Sequence, residues 1–378
     1  MKQLLLVLSI FGLTFAFGQY EIGQTTLTIN DPDRDRDIET YVYYPADAAG
    51  TDVDLSDGNF PIISVGHGFV MTYDYYIYLW EHLVPLGYIV ALPNTETGVT
   101  VSHGDYGLDL GYVIQALQAE DENESSIFYN HIGATSAVIG HSMGGGASVL
   151  AASEYSEITT LITLAAAETD PSAISAASSV TIPSLTFAGD LDCITPPADH
   201  QEPIYDNLSD CKGYVLINDG THCQFANSNP LCEFGEFSCP SSGLSESDQH
   251  GAVLEVITPW LEAYLKFSYD AWLTVEALEG DQSNYNLSLD CTNAPSVSLD
   301  ETSTDVLSIY PNPNQGLIVL SLPIERGTYN IYRMDGRIID QGNITGQELD
   351  LNHINDGFYL ITIQVNETMI INQRILKQ

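Results

Sequence analysis

The stretch Val138-Ile139-Gly140-His141-Ser142-Met143-Gly144-Gly145-Gly146 limits what this chain can fold into more than any other. A β-branched run enters Gly-x-Ser-x-Gly, and an alanine-rich segment of helical character leaves it. So tight a turn from strand to helix has no room for side chains on its flanks. Glycine therefore stands at 140 and 144, and the serine hydroxyl is held over the sheet edge at a helix N-terminus. Ser142 is the expected nucleophile. The surrounding pattern predicts an α/β fold, a mostly parallel sheet with helices on both faces.

The periodicity agrees along the first three quarters of the chain. Apolar, β-rich runs at Thr25-Ile29, Thr40-Tyr44, Ile62-Val65, Tyr88-Leu92, Ala137-Ile139, Thr160-Leu164, Ser184-Phe187 and Tyr214-Ile217 alternate with segments of helical spacing. Leu110, Val113, Ile114 and Leu117 share one helical face, as do Val253, Ile257, Trp260, Leu261, Tyr264 and Leu265. These runs assign residues 19–290 to one catalytic unit. Residues 1–18 open on Met1 and the basic Lys2, continue through a short apolar core and carry the small residues Ala16 and Gly18 at positions −3 and −1 of their end. They read as a secretory signal peptide, too short to span a bilayer. Residues 291–305 read as a polar linker, and 306–378 as a small all-β, sandwich-like module with a turn at Asp335-Gly336.

Charge narrows the partners. Ten basic residues against 51 acidic ones give a formal net charge of -41, and no Lys or Arg stands between Asp37 and Cys211. Nucleic acid is excluded, since binding it rests on Lys and Arg neutralising phosphates, and docking to anionic membranes is disfavoured. The acidic cluster Asp31–Asp37 lacks the glycine and the closing glutamate of a calcium loop, and reads instead as a turn between two strands. Six cysteines suit an oxidising compartment. Cys232 and Cys239 are spaced to close a loop, a Cys193–Cys223 bridge would join two neighbouring loops, and Cys211 is equally open to Cys193.

A serine is a poor nucleophile without a histidine to take its proton and a carboxylate to hold that imidazole. In the fold expected here the three follow in the order Ser, Asp, His, each on a loop after a strand. The loop Phe187–Pro197 offers Asp190 and Asp192; Asp192 is preferred because Asp190 lies nearer the strand end. His222 follows the strand at Tyr214-Ile217, with His250 as the alternative. His82 and His131 read as structural or solvated, His200 sits on a helix, and His353 belongs to the tail. The oxyanion needs preorganised N–H donors. Met143, directly after the nucleophile, supplies one; Phe69, in the loop Val65–Val70, supplies the other, with His67 bracing that loop. This chemistry calls for no cofactor and no metal.

These residues resemble a known family. Gly140–Gly146, Ser179–Ser184 leading to Asp192, Pro203-Ile204-Tyr205-Asp206 and Gly220-Thr221-His222 resemble the cutinase, PET hydrolase-like polyester hydrolase and dienelactone hydrolase-like branch of α/β-hydrolases. The resemblance spans most of residues 20–270. It implies Ser142, Asp192 and His222 as triad, Phe69 and Met143 as oxyanion donors, and Phe69 beside the substrate. Polyester hydrolases of this branch place a tryptophan after the strand that follows the elbow helix. Here the stretch reads Ala165-Ala166-Ala167-Glu168-Thr169-Asp170, which puts Glu168 at the substrate wall and favours ester hydrolysis in general over aromatic polyesters.

The segments Ser308–Gly316, Asp356-Gly357-Phe358-Tyr359 and Arg374–Gln378 resemble the C-terminal sorting domain of type IX secretion substrates. That resemblance implies the secretion machinery as a partner, and release or tethering at the outer surface. The expectation is a secreted, monomeric serine carboxylic-ester hydrolase acting on a small ester or a polyester. A lipase or phospholipid acyl hydrolase is the alternative within enzymes, and a catalytically silent surface-binding protein the alternative outside them.

Overall fold

The computed structural model describes residues 20–209, 211–291, 309–310, 316–333, 338–355, 357–364 and 370–377. The expected signal peptide, residues 292–305 of the expected linker and the Asp335-Gly336 turn lie outside them. Contacts divide the chain into two units, Met1–Pro295 and Ser296–Gln378, each taken here by itself.

The first unit is built on one eleven-stranded sheet in the order β10-β11-β9-β8-β7-β6-β4-β5-β2-β1-β3. Its strands are β1 (Glu21–Asp31), β2 (Arg36–Ala46), β3 (Gly50–Thr51), β4 (Phe60–Gly66), β5 (Ile89–Pro93) and β6 (Ile132–His141). They continue with β7 (Thr160–Leu164), β8 (Ser184–Gly189), β9 (Lys212–Ile217), β10 (Gly280–Asp281) and β11 (Tyr285–Asp290). The centre, from β5 through β4 and β6 to β9, is parallel. Antiparallel pairs close both sides, β2 on β5 and β11 on β9. Each of the eight apolar runs falls on a strand, Tyr88 alone standing one residue outside β5. Strands read as unbroken apolar runs where both faces are covered, and β4, β5 and β7 are buried at every position.

Those two faces carry two cores. Ile63, Val65, Ala137, Ile139 and Ile162 pack with α1 (Ile77–Leu83), α7 (Glu246–Leu265) and α8 (Tyr269–Ala277). Their chain neighbours Ile62, Val138 and Leu161 point the other way, onto α2 (His103–Ala119), α3 (Met143–Glu154), α4 (Ala173–Ala177) and α5 (Gln201–Asn207). This alternation across the pleat makes the strands both the inner layer and the rails on which the loops sit. A short helix, α6 (Pro230–Gly235), lies in the segment between β9 and α7.

The acidic Asp31–Asp37 segment is the turn of the β1–β2 hairpin, as expected. Its two arginines turn inward. Arg34 and Arg36 both pair with the fully buried Asp109 of α2, at 2.8 and 2.7 Å, and Arg36 also meets Glu96 at 2.8 Å.

The disulfides correct the sequence expectations. The pairs are Cys193–Cys239, Cys223–Cys232 and Cys211–Cys291. Neither Cys232–Cys239 nor Cys193–Cys223 forms, and Cys211 does not meet Cys193. The segment carrying α6 spans both neighbouring loops, so each loop finds a cysteine of that segment before it finds the other loop. Cys291, first residue of the expected linker, is fastened to Cys211 at the start of β9.

The second unit is an antiparallel sheet of β12 (Ile309–Tyr310), β13 (Leu317–Arg333), β14 (Ile338–Asp350), β15 (Gly357–Gln364) and β16 (Ile370–Lys377). The long β13 pairs with β12, β14 and β15. Ile318, Leu320, Ile331, Ile344, Leu351, Ile361 and Ile363 form its own core. Among the described residues of the whole chain, no helix is long and apolar enough to cross a membrane.

Candidate active site

The carboxyl ends of five parallel strands point their loops to one side of the first unit. Phe69 follows β4, Ser142 follows β6, Glu168 follows β7, Asp192 follows β8 and His222 follows β9. Ligand-binding crevices of open α/β sheets lie at this edge.

Ser142 sits at the junction of β6 and α3 with φ 55° and ψ −119°. Its N–H donates to the Leu164 carbonyl (3.0 Å), and its own carbonyl accepts from Gly146 (3.1 Å) and Ala167 (2.8 Å). The backbone is thus held in a conformation that side-chain-bearing residues avoid. The flanking glycines are required by contact. A Cβ on Gly140 would lie 2.1 Å from the Gly144 carbonyl oxygen, and one on Gly144 would lie 2.4 Å from the Gly66 carbonyl. The elbow and the loop after β4 therefore touch backbone to backbone.

Ser142 Oγ donates to His222 Nε2 at 2.9 Å, and His222 Nδ1 donates to Asp192 Oδ2 at 2.8 Å. Ser142, His222 and Asp192 are all buried. The Asp192 carboxylate also accepts from the Ile194 and Thr195 N–H groups (2.9 and 2.8 Å) and from the Thr195 hydroxyl (2.9 Å), which fixes its plane. Asp190 is exposed at the strand end, and its N–H is bound to the Ile217 carbonyl. His250, on α7, stacks on Tyr78 with ring centroids 3.7 Å apart and donates to the Ala226 carbonyl, away from Ser142.

The remaining histidines have local partners. His82 Nε2 meets the Thr258 hydroxyl, His131 Nδ1 accompanies the Gly58 carbonyl, and His353 pairs with Asp340. His200, immediately before α5, accepts the Glu168 N–H at 2.9 Å. The Glu168 carboxylate accepts the Ile174 N–H, also at 2.9 Å, so it organises its own loop.

The loop after β4 is braced on both sides. The His67 and Gly68 N–H groups donate to the hydroxyls of Tyr106 and Tyr76 (2.7 and 2.8 Å), and both nitrogens of the buried His67 ring face carbonyls, of Gly68 and Thr95. The next N–H, that of Phe69, has no protein partner among the described residues. Met143 opens α3, where first-turn N–H groups lack an intrahelical acceptor. Phe69 exposes its ring, 47% accessible.

Two groups were not singled out by sequence reasoning. Thr195 Oγ lies 3.0 Å from His222 Nδ1 and accepts from Gln201 Nε2 at 3.1 Å, linking Asp192, His222 and α5. His141 is buried between Tyr76, whose hydroxyl donates to Nδ1 (2.9 Å), and the His222 carbonyl, which accepts from Nε2 (3.1 Å). Burial, and then the neighbouring His222, push His141 well below the ordinary imidazole range, so it is neutral. The Gly-x-Ser-x-Gly spacing marks His141 as an elbow residue, but nothing local in sequence announces Tyr76 as its partner. Among the described residues, no group of three or more His, Cys, Asp or Glu could hold a metal ion.

The PET hydrolase-like family model matches residues 37–239, and that of the secretion system C-terminal sorting domain matches residues 308–378. The second match marks the chain for type IX secretion to the cell surface or beyond. Similar curated proteins include cutinase est1 of Thermobifida alba, 29% identical over 184 residues, 48% of this chain and 56% of that protein. Cutinase 1 of Thermobifida cellulosilytica is 28% identical over 200 residues, 52% and 69% of the two chains. Bis(hydroxyethyl) terephthalate hydrolase of Streptomyces coelicolor is 29% identical over 191 residues, 50% and 56%. The chain thus spans little more than half the length of some of the curated relatives it matches.

Proposed function

Because the chain belongs to the PET hydrolase-like family, we propose that it is a serine carboxylic-ester hydrolase. The observation that carries this reading is the buried relay from Ser142 Oγ through His222 to Asp192, at 2.9 and 2.8 Å. As Ser142 Oγ bonds to the ester carbonyl carbon, its proton passes to His222 Nε2, while Asp192 holds Nδ1–H and offsets the imidazolium charge. The carbonyl oxygen becomes an oxyanion facing the N–H groups of Phe69 and Met143. Collapse expels the alcohol, which takes the proton from His222 and leaves an acyl-enzyme. Water, deprotonated by His222, then attacks the acyl carbon; Ser142 leaves with that proton and the acid is released. Phe69 and the Glu168 loop flank the substrate.

A polyester substrate is the second reading, and one feature favours it. Beside the site, Leu231, Phe234 and Phe237 stand exposed, the two phenylalanines by 80% and 89%, on a segment fastened by disulfides to the residues after Asp192 and His222. Exposed apolar side chains next to a reaction centre suit an insoluble apolar substrate. The names of the similar cutinases and of the terephthalate-ester hydrolase point the same way.

The test is hydrolysis of para-nitrophenyl acetate and butyrate by the full chain, alongside erosion of a polyester film. Ser142→Ala is expected to remove activity on all of them, by at least about a thousandfold. Phe234→Ser with Phe237→Ser is expected to reduce film erosion severalfold while soluble-ester turnover stays at the parent rate. Undiminished turnover in Ser142→Ala would overturn the esterase reading; undiminished film erosion in the double variant would remove the support for a polymer substrate.

A further inference from the structure

The segment between β9 and α7 places a second carboxylate behind the proposed catalytic histidine. Glu236 Oε1 accepts the Cys223 N–H at 3.0 Å, and Cys223 is the residue directly after His222. His222 and Cys223 begin a short 3-10 turn, Cys223–Phe225, with His222 as its N-cap. A carboxylate there meets N–H groups that have no acceptor within the turn, and opposes the positive end of the local dipoles.

Covalent structure delivers Glu236 to this place. It lies between Cys232 and Cys239, four residues after one and three before the other. Cys232 is bonded to Cys223 and Cys239 to Cys193, and these partners directly follow His222 and Asp192. The segment is otherwise largely exposed, and Glu236 is among its few half-buried side chains. A long, polar insertion with two staples has no packing need for a half-buried carboxylate, and desolvating one is unfavourable unless it is met by donors or positive charge. Burial indeed pushes the Glu236 carboxyl up, while the Cys223 N–H and the His222 side pull it back and Asp192 opposes that pull. The charged and titratable groups that act on it are His222 and Asp192, and Glu233 from α6 and Glu246 from the start of α7 line the same cavity. The His222 ring itself faces Ser142, Asp192 and Thr195, and lies 4.9 Å from the neutral His141 ring.

We propose that Glu236 is a positioning residue for the reaction, anchoring the His222 backbone through the Cys223 N–H and adding a second negative charge that favours the imidazolium formed during proton transfer. The proposal rests on the esterase reading above. It assigns the stapled segment a task distinct from substrate contact: it is the arm that carries this carboxylate under the base.

The experiment compares Glu236→Gln, Glu236→Asp and Glu236→Ala in the full chain, with kcat and KM for para-nitrophenyl butyrate followed from pH 5 to 9. Glu236→Gln keeps an acceptor for the Cys223 N–H and removes only the charge. It is expected to move the acid limb of kcat/KM to lower pH by about half a unit and to lower plateau kcat about two- to fivefold, with KM unchanged. Glu236→Ala also removes the anchor and is expected to lower kcat by about tenfold, and Glu236→Asp to restore part of the acid limb. Near-UV circular dichroism and the melting temperature report whether each variant is folded. A Glu236→Gln variant whose profile and kcat overlay the parent would overturn the proposal. Ser142→Ala, run in parallel, separates the failures: activity surviving there sinks the esterase reading, whereas its loss beside an unchanged Glu236→Gln sinks only this one.

Discussion

Ser142 holds a backbone conformation, φ 55° with ψ −119°, that costs a β-carbon-bearing residue on the order of 1–3 kcal/mol. Three backbone hydrogen bonds keep it there. Ser142→Gly is therefore expected to raise unfolding stability by about 1 kcal/mol, read by chemical denaturation, while it removes the proposed esterase activity, read as para-nitrophenyl butyrate turnover. A Ser142→Gly protein less stable than its parent would mean the elbow is unstrained. At this scale the sequence was explicit about residues whose constraint is local. The glycines at 140 and 144 announce the elbow, and Asp192 was separable from Asp190 by its distance from the strand end alone. Thr195, Tyr76 and Glu236 were not legible. Thr195 and Tyr76 reach His222 and His141 from 27 and 65 residues away, and Glu236 reaches the Cys223 N–H only because the segment after His222 folds back on itself; none of the three carries a spacing signal.

Elements were the most legible level, because a parallel sheet covered on both faces demands unbroken apolar strands and the alternating helices follow from the crossovers. What the helical and strand periods could not convey is how the hairpin at the chain start is pinned. Asp109 is fully buried on α2 and receives both Arg34 and Arg36 together with the Thr95 hydroxyl at 2.6 Å. Removing Asp109 leaves two half-buried guanidinium groups short of a partner, Arg34 with Asp31 and Arg36 with Glu96 still in place. Asp109→Ala is expected to lower stability by about 3 kcal/mol, read as a shift in urea midpoint, with hydrogen exchange rising first in β1 and β2. Equal protection of those strands in variant and parent would show the ion cluster to be dispensable. The cysteine pairing was likewise hidden: spacing along the chain favoured Cys232 with Cys239, whereas the fold lays their segment across two other loops.

For the whole molecule, charge was plain from composition and pH behaviour was not. Burial lowers the affinity of His67, His82, His141 and His250 for protons in the folded state. In the unfolded chain these rings take up protons near their ordinary value of 6.5, so the unfolded state binds more protons below it. The stability they contribute is present above pH 6.5 and is lost as pH falls toward their folded values. Asp190 and Glu236, raised in the fold, act in the opposite sense at lower pH, since their contribution is lost as pH rises through their folded values. Between pH 7.5 and 5.5 the melting temperature is expected to fall; a flat profile over that interval would show that the four rings are not held neutral.

The two staples beside the site have a topological consequence. Residues 193 to 223 and 232 to 239 form a closed covalent loop through Cys223–Cys232 and Cys239–Cys193. A single peptide cleavage anywhere between Cys193 and Cys239 therefore cannot sever the chain into separable parts. For a protein carrying a secretion-system sorting domain, and so destined for surroundings where foreign proteases act, the region holding Asp192 and His222 stays joined after a first cut.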